Sequence, residues 1–140
     1  MMIDFHYETD FSIGAETNFT DWISRIILSE DKRCGQLDFI FCDDDYLLKV
    51  NQDYLNHDTY TDIITFPYGD IDVIAGDIFI SVERVRDNAS EYGVDFENEL
   101  KRVMAHGVLH LVGYGDKSEE ESVQMRLKED EKIKLFHVEH

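Results

Sequence analysis

The sequence predicts a fold of mixed strands and helices, α+β or α/β, built on a small mixed sheet. Three observations predict it. Short β-branched or aromatic runs alternate along the chain with longer segments of helical period. Apolar residues make up 43% of the 140 and aromatics 12%, enough to bury one core of ordinary size. There is one Pro, no low-complexity tract and no internal repeat, so residues 1–140 read as a single domain.

The elements follow in order. IDFHYETDF alternates well enough for an edge strand. NFTDWISRIILSEDK places Phe19, Trp22, Ile23, Ile26 and Ile27 at helical spacing, with Asn18 or Thr20 to cap it and Cys34-Gly35 to end it. QLDFIFC reads as a strand or a buried apolar run. Asp43 to Asp45 favour a helix start through capping and the helix dipole. The helix that follows, through NQDYLN, has Leu47, Leu48, Val50, Tyr54 and Leu55 on its apolar face. TDIITF is a short β-branched strand ended by Pro67, YGDIDV a turn, and AGDIFIS a strand with Ile78 and Ile80 on one face. VERVRDNASEYG is a helix closed by Gly93. VDFENELKRVMAHGVLHLVG is the clearest helix, its stripe traced by Phe96, Leu100, Val103, Met104, Val108 and Leu111. SEEESVQMRLKEDEKIKLF is the last, opened by a capping box of Ser118 and Glu121. Its acidic runs, Glu119 to Glu121 and Glu129 to Glu131, read as a solvated face.

Charge narrows the function. Thirty-one acidic residues against 13 basic give a net −18, yet the apolar content excludes a disordered chain. Such a chain repels phosphate backbones over a Debye length of about 8–10 Å unless a local basic face or a metal offsets it. No apolar run approaches a membrane span, and MMIDFHYETD has neither the basic nor the apolar part of a secretory signal. The expectation is a cytoplasmic protein with no membrane and no DNA partner. Cys34 and Cys42 are too few for a disulfide framework or a four-ligand zinc site and read as buried or half-buried free thiols. His6, His57, His137 and His140 read as surface residues.

The chemistry sits in His106-Gly-Val-Leu-His110-Leu-Val-Gly113-Tyr-Gly-Asp116. Histidines four apart on a helix project from one face, one turn apart, where two nitrogens can bind one ion. Gly113 can end the helix in a left-handed turn and let the chain bring Asp116 to the same ion. Two His and one carboxylate leave a position open for water, which marks a catalytic rather than a structural site. Gly107 stands where H-E-x-x-H zinc proteases carry their general base, which argues against that mechanism. No residue is assigned as the base. Asp62 and Asp77, beside short strands, are candidates to orient a ligand or line the substrate cleft, against the plainer alternative of a strand-end hydrogen bond. Tyr114 can stack a base or simply pack.

HGVLHLVGYGDK resembles the signature H-G-x-L-H-L-x-G-Y-D-H of the YbeY family, bacterial metal-dependent endoribonucleases. NQDYLNHDTYTDIITFP resembles that family's N-x-x-Y-R-x-x-D-x-P-T-D-V-L-S-F-P stretch, AGDIFIS its G-D-I-x-I-S strand, and ENELKRVMAHGVLHL the helix leading into the ligands. The similarity spans about residues 36–136. It implies a small α+β fold around a mixed four-stranded sheet packed with about five helices, the metal-binding helix at its centre. It also implies a zinc-dependent hydrolase that cuts single-stranded RNA, matures small-subunit (16S) ribosomal RNA and serves ribosome quality control. The partners implied are ribosomal RNA and the small subunit or its proteins, and the cofactor one zinc per chain.

Two departures stand out. The third ligand position, His in the family, is Asp116 here, which also suits a harder divalent ion. Leu55 stands where the family has an Arg, and Leu cannot hold a phosphate. Lys117, next to a ligand, is the best substitute. Two rival readings stay open: a non-catalytic ribosome-assembly factor, and a metallohydrolase of a non-RNA substrate.

Overall fold

Four strands pair into one sheet in the order β1-β2-β4-β3 in the structure, a computed structural model describing residues 2–136. They are β1 (Ile3–Tyr7), β2 (Arg33–Cys42), β3 (Ile63–Pro67) and β4 (Val73–Ser81). β1, β2 and β4 run parallel, and β3 returns antiparallel to β4, with Ile63 opposite Ile80 and Thr65 opposite Ile78. The helices are α1 (Glu16–Ser29), α2 (Asp44–Leu55), α3 (Val82–Tyr92), α4 (Phe96–Val112) and α5 (Glu119–Ile133). The mixed sheet and five helices are the α+β fold that the resemblance implied.

Side chains alternate across the sheet, so its two faces do different jobs. Ile74, Ile78 and Ile80 of β4 join Leu37, Phe39 and Phe41 of β2 in the main core, under α1 and α4. Trp22, Ile23, Ile26 and Ile27 of α1 are fully buried there, as their spacing predicts. The other face meets α2, where Leu47 and Val50 pack with Cys42 and Ile64, and Phe66 and Phe79 border them. Cys34 is half-buried, Cys42 is buried, and both are free thiols.

Several boundaries differ from the sequence reading. α1 starts at Glu16, so Asn18 and Thr20 lie inside it and cap nothing; Ala15 precedes it without a side-chain bond. The chain reverses at Asp31, in left-handed backbone at φ 59°, rather than at Cys34-Gly35. Those two residues instead begin β2, because Cys34 already pairs with Ile74. Gly35 lies so close to β4 that a Cβ would come within 2.8 Å of Val73 Cγ1. β4 likewise begins two residues early, at Val73. Pro67 closes β3 from within, tolerated because β3 is an edge strand. Tyr54 and Leu55 face outward at the end of α2.

The largest difference concerns α5. Its inner face is Met125, Glu129 and Lys132, so one of the runs read as solvated contributes a buried carboxylate, 5% exposed. Lys132 is 1% exposed, its ammonium held by Ser29 Oγ at 2.8 Å, Glu30 Oε2 at 2.7 Å and Glu131 Oε2 at 2.6 Å. A buried charge persists only when paired this fully. The capping box of Ser118 and Glu121 is present as read. His137 and His140 lie outside the described residues.

Candidate metal centre

α4 places both histidines. Asp95 caps its start by accepting from the Asn98 N–H at 2.8 Å, and Gly113 ends it at φ 124°. Gly107 seats the helix on the sheet: a Cβ there would meet Ile63 Cδ1 at 2.8 Å and Ile78 Cγ2 at 3.0 Å. A side chain would therefore push the helix away from β3 and β4. This Gly, which argued only against a protease at the sequence level, has a packing reason.

The turn after Gly113 brings Asp116 back over the helix end. Asp116 Oδ2 lies 3.3 Å from His106 Nε2 and 3.3 Å from His110 Nε2. That separation matches the edge of a tetrahedron whose centre is about 2.0–2.1 Å from each ligand. The three donor atoms all lie within 4.8 Å of one another.

Each ring presents Nε2 because its Nδ1 is engaged. His110 Nδ1 donates to the Tyr114 carbonyl at 2.9 Å, and His106 Nδ1 to Glu129 Oε2 at 2.6 Å. A metal-binding His characteristically spends its second nitrogen on such a partner, which sets tautomer and orientation. Burial works against the charged form of His106. The hydrogen bond and charge of Glu129, reinforced by Asp116 and Asp62, outweigh it and raise its pKa above the ordinary 6.5. Glu129 also accepts from Arg102 Nη1 at 3.0 Å, and Arg102 reaches Asp130 at 2.7 Å. The donor set, two imidazoles and one carboxylate with the remaining nitrogens tied, fits a divalent ion.

The three donors line a cleft of about 610 Å³. Asp62 and Lys117 line it too, and so do Leu55 and His57, the latter read only as a surface residue. Asn51, 4% exposed, fastens the far wall by donating to the Thr59 carbonyl at 2.8 Å. Burial pushes the Asp62 carboxyl above its ordinary value, against the partial opposition of His106 and Arg84. Asp77 is not in the cleft. It sits on the opposite face of β4 from Ile78, in a groove with Tyr46, Phe66 and Phe79, and accepts from Tyr68 Oη at 3.1 Å. The period of two along the strand sends it there. Tyr114 packs rather than stacks, its hydroxyl donating to Glu30 Oε1 at 2.6 Å.

Glu129 is the residue that sequence reasoning missed. The available signal was its spacing, since Met125, Glu129 and Lys132 recur at i, i+4 and i+7 on one helix face.

Comparisons with known proteins show the family and the fold. The family model described as Endoribonuclease YbeY matches residues 4–137. A Flavobacterium johnsoniae protein named Endoribonuclease YbeY is 60% identical over 138 residues, 99% of each chain. Its namesake from Flavobacterium psychrophilum is 61% identical over 98% of each. A Thermotoga maritima protein solved in solution is 28% identical and superposes with a TM-score of 0.68, over 96% of this chain and 89% of that one.

Proposed function

The chain belongs to the YbeY family of endoribonucleases, and on that premise we propose that it cleaves single-stranded RNA in small-subunit ribosomal RNA maturation, using zinc held by His106, His110 and Asp116. The observation that carries the reading is the convergence of those three donors on one wall of the cleft. An ion there would supply Lewis acidity, polarising a phosphodiester oxygen and acidifying water for attack at phosphorus.

The rest falls to the chain itself. Glu129 and the Tyr114 carbonyl hold the two rings with Nε2 toward Asp116. Asp116 offers a harder donor than the usual His, which widens the acceptable ions to other divalents. Lys117 is exposed at the cleft and, among the described residues, makes no ion pair, so it is free to meet a phosphate as a point charge. Leu55 gives no such help. A chain at −18 is repelled by free RNA, which favours RNA presented on the small ribosomal subunit, in the cytoplasm, where basic proteins attract it.

The test is metal content by mass spectrometry on protein purified without chelator or metal-affinity tag, for wild type and Asp116→Ala, beside RNA cleavage by wild type and His110→Ala. One zinc per wild-type chain, lost in Asp116→Ala, with cleavage lost in a folded His110→Ala, is expected. Cleavage persisting in His110→Ala overturns the reading. A zinc-loaded protein that co-sediments with small subunits but never cuts RNA points instead to a non-catalytic assembly factor. Turnover of any phosphodiester without preference for RNA points to a general metallohydrolase.

A further inference from the structure

Beyond the metal ligands the cleft continues into a second cavity, of about 300 Å³. His106, Asp116, Asp62 and Ile63 border both spaces, so the two meet at the candidate ligands. An enzyme that cuts inside a strand seats a nucleotide on each side of the scissile phosphate. With that phosphate at His106, His110 and Asp116, the larger space takes one neighbour and the smaller space the other. At the lower end of the ~300–1,000 Å³ usual for ligand pockets, the smaller space has room for one base.

The wall of this cavity suits a base and not a phosphate. Asp62, Glu99 and Glu129 border it, and their carboxylates repel a phosphate. A base is neutral, and its amino groups donate to carboxylates. Glu129 is committed to His106 and Arg102, which leaves Asp62 and Glu99 as acceptors. Tyr92 and Asn88 stand four apart on α3, on one face, and both line the cavity. Tyr92 is 61% exposed, so its ring is open to stacking. Among the described residues, the Asn88 amide reaches only Asp62, at 3.5 Å, the outer limit of a hydrogen bond. Such an amide can both donate to a base edge and accept from it. The two arginines divide the remaining work. Arg102 is bonded to Glu129 and Asp130 and holds the wall. Arg126 is 63% exposed, and its one ion pair among the described residues is with Glu129 at 4.0 Å. It is the available cation on this side of the ligands, as Lys117 is on the cleft side.

We propose that this cavity is the subsite for a nucleobase adjoining the scissile phosphate. The base stacks on Tyr92, Asn88, Asp62 and Glu99 read its amino edge, and Arg126 meets the phosphate beyond it. The placement beside a cut rests on the ribonuclease reading; the cavity's affinity for a base does not. Cytosine and adenine carry the amino group that the acids and Asn88 recognise, and uracil does not. The acids therefore serve selectivity: they turn phosphate away from the cavity and toward the ligands, and they favour one kind of base.

The experiment adds nucleoside 5′-monophosphates, which hold no phosphodiester to cut, to isotope-labelled protein with zinc present. Nuclear magnetic resonance follows the Asn88 side-chain amide. Cytidine monophosphate is expected to shift it, uridine monophosphate to bind ~5-fold more weakly, and ribose 5-phosphate, which has no base, to leave it unmoved. Tyr92→Ala weakens cytidine monophosphate at least ~5-fold, the lower end for one base–aromatic stack, and Tyr92→Phe restores it. Tyr92 is exposed, so an unchanged Tm in both variants is expected and shows that the fold is kept. In RNA cleavage, one abasic residue is walked along the strand. It slows wild type at one neighbour of the cut, and Tyr92→Ala, already without its stack, loses nothing further there. Shifts that ribose 5-phosphate also produces, or that Tyr92→Ala leaves intact, overturn the subsite, as does an Asn88 amide unmoved by every nucleotide at millimolar concentration. Equal binding of uridine and cytidine monophosphates overturns the role of the acids as readers. Base-dependent shifts in a protein that cuts no RNA sustain the base site and sink the ribonuclease reading. RNA cleavage without those shifts does the reverse.

Discussion

His110 is held by the end of its own helix, His106 by a different helix. The His110 partner is the Tyr114 carbonyl, four residues on, in the turn that Gly113 makes possible. The His106 partner is a side chain 23 residues away on α5, buried and shared with Arg102. One half of the site is therefore local and made of backbone. The other depends on two helices docking in register. A local turn forms wherever its residues allow it, whereas a side-chain bridge between helices exists only when the core is complete. The same three ligands thus report on two kinds of order.

Breaking the α5 side has the largest expected effect. Glu129→Ala removes the partner of His106 and half the pairing of Arg102, while Arg102 keeps Asp130. It lowers stability by about 3 kcal/mol, the low end for a broken buried pair. On the proposed zinc site, affinity for the ion falls about 10–100-fold. Urea denaturation and zinc competition measure the two losses, and an unchanged zinc affinity means that α5 does not position His106. Breaking the local side is next. Gly113→Ala meets no steric obstacle, since nothing lies within 4 Å of a Cβ there, so its effect is backbone strain alone. At φ 124°, beyond the left-handed helical region, that strain is about 2 kcal/mol. Zinc binding weakens with it through the displaced Tyr114 carbonyl; Tm and zinc titration together detect this.

A substitution common to both halves separates seating from ligation. Gly107→Ala forces Ile63 and Ile78 aside, about 1–3 kcal/mol of overpacking, offset by about 1 kcal/mol of helix propensity. The expected net is a loss of about 1 kcal/mol, with both histidines affected equally. Nuclear magnetic resonance shifts of the two rings show whether one moves alone. The smallest effect is a pH dependence at the outer anchor of the His110 turn. Burial alone would raise the pKa of Glu30, but hydrogen bonds from Lys132, Tyr114 and Lys128 outweigh it and hold the carboxyl below its ordinary 4.5. In the window between the folded value and 4.5, the unfolded chain binds the proton first. The contribution is therefore complete above 4.5 and lost as pH falls through the folded value. Urea midpoints followed down past that value decline more steeply in wild type than in Glu30→Gln; parallel curves refute the role.

Much of this was legible in the residues. The stripe of α1, the caps at Asp43 and Ser118 and the candidate ligand run from His106 to Asp116 follow from periods and side-chain chemistry within a few turns of chain. Asp77 was not legible, because a strand's alternation says that neighbours face opposite ways but not which way the cleft lies. Glu129 was legible only in part, through its spacing with Met125 and Lys132 on one helix face. That spacing marks an inward-facing carboxylate but not that it meets a histidine on another helix, and its neighbours Asp130 and Glu131 pair instead with Arg102 and Lys132.

The sequence by itself determined most of the elements and the run of candidate ligands, because helix period, a glycine turn and ligand chemistry act over short stretches of chain. Only the tertiary structure decided which acids are buried, which face of β4 looks into the cleft, and that Asp62 and Glu99 share a cavity. Burial and charge pairing depend on what other segments bring within a few ångströms, and no local pattern carries that information.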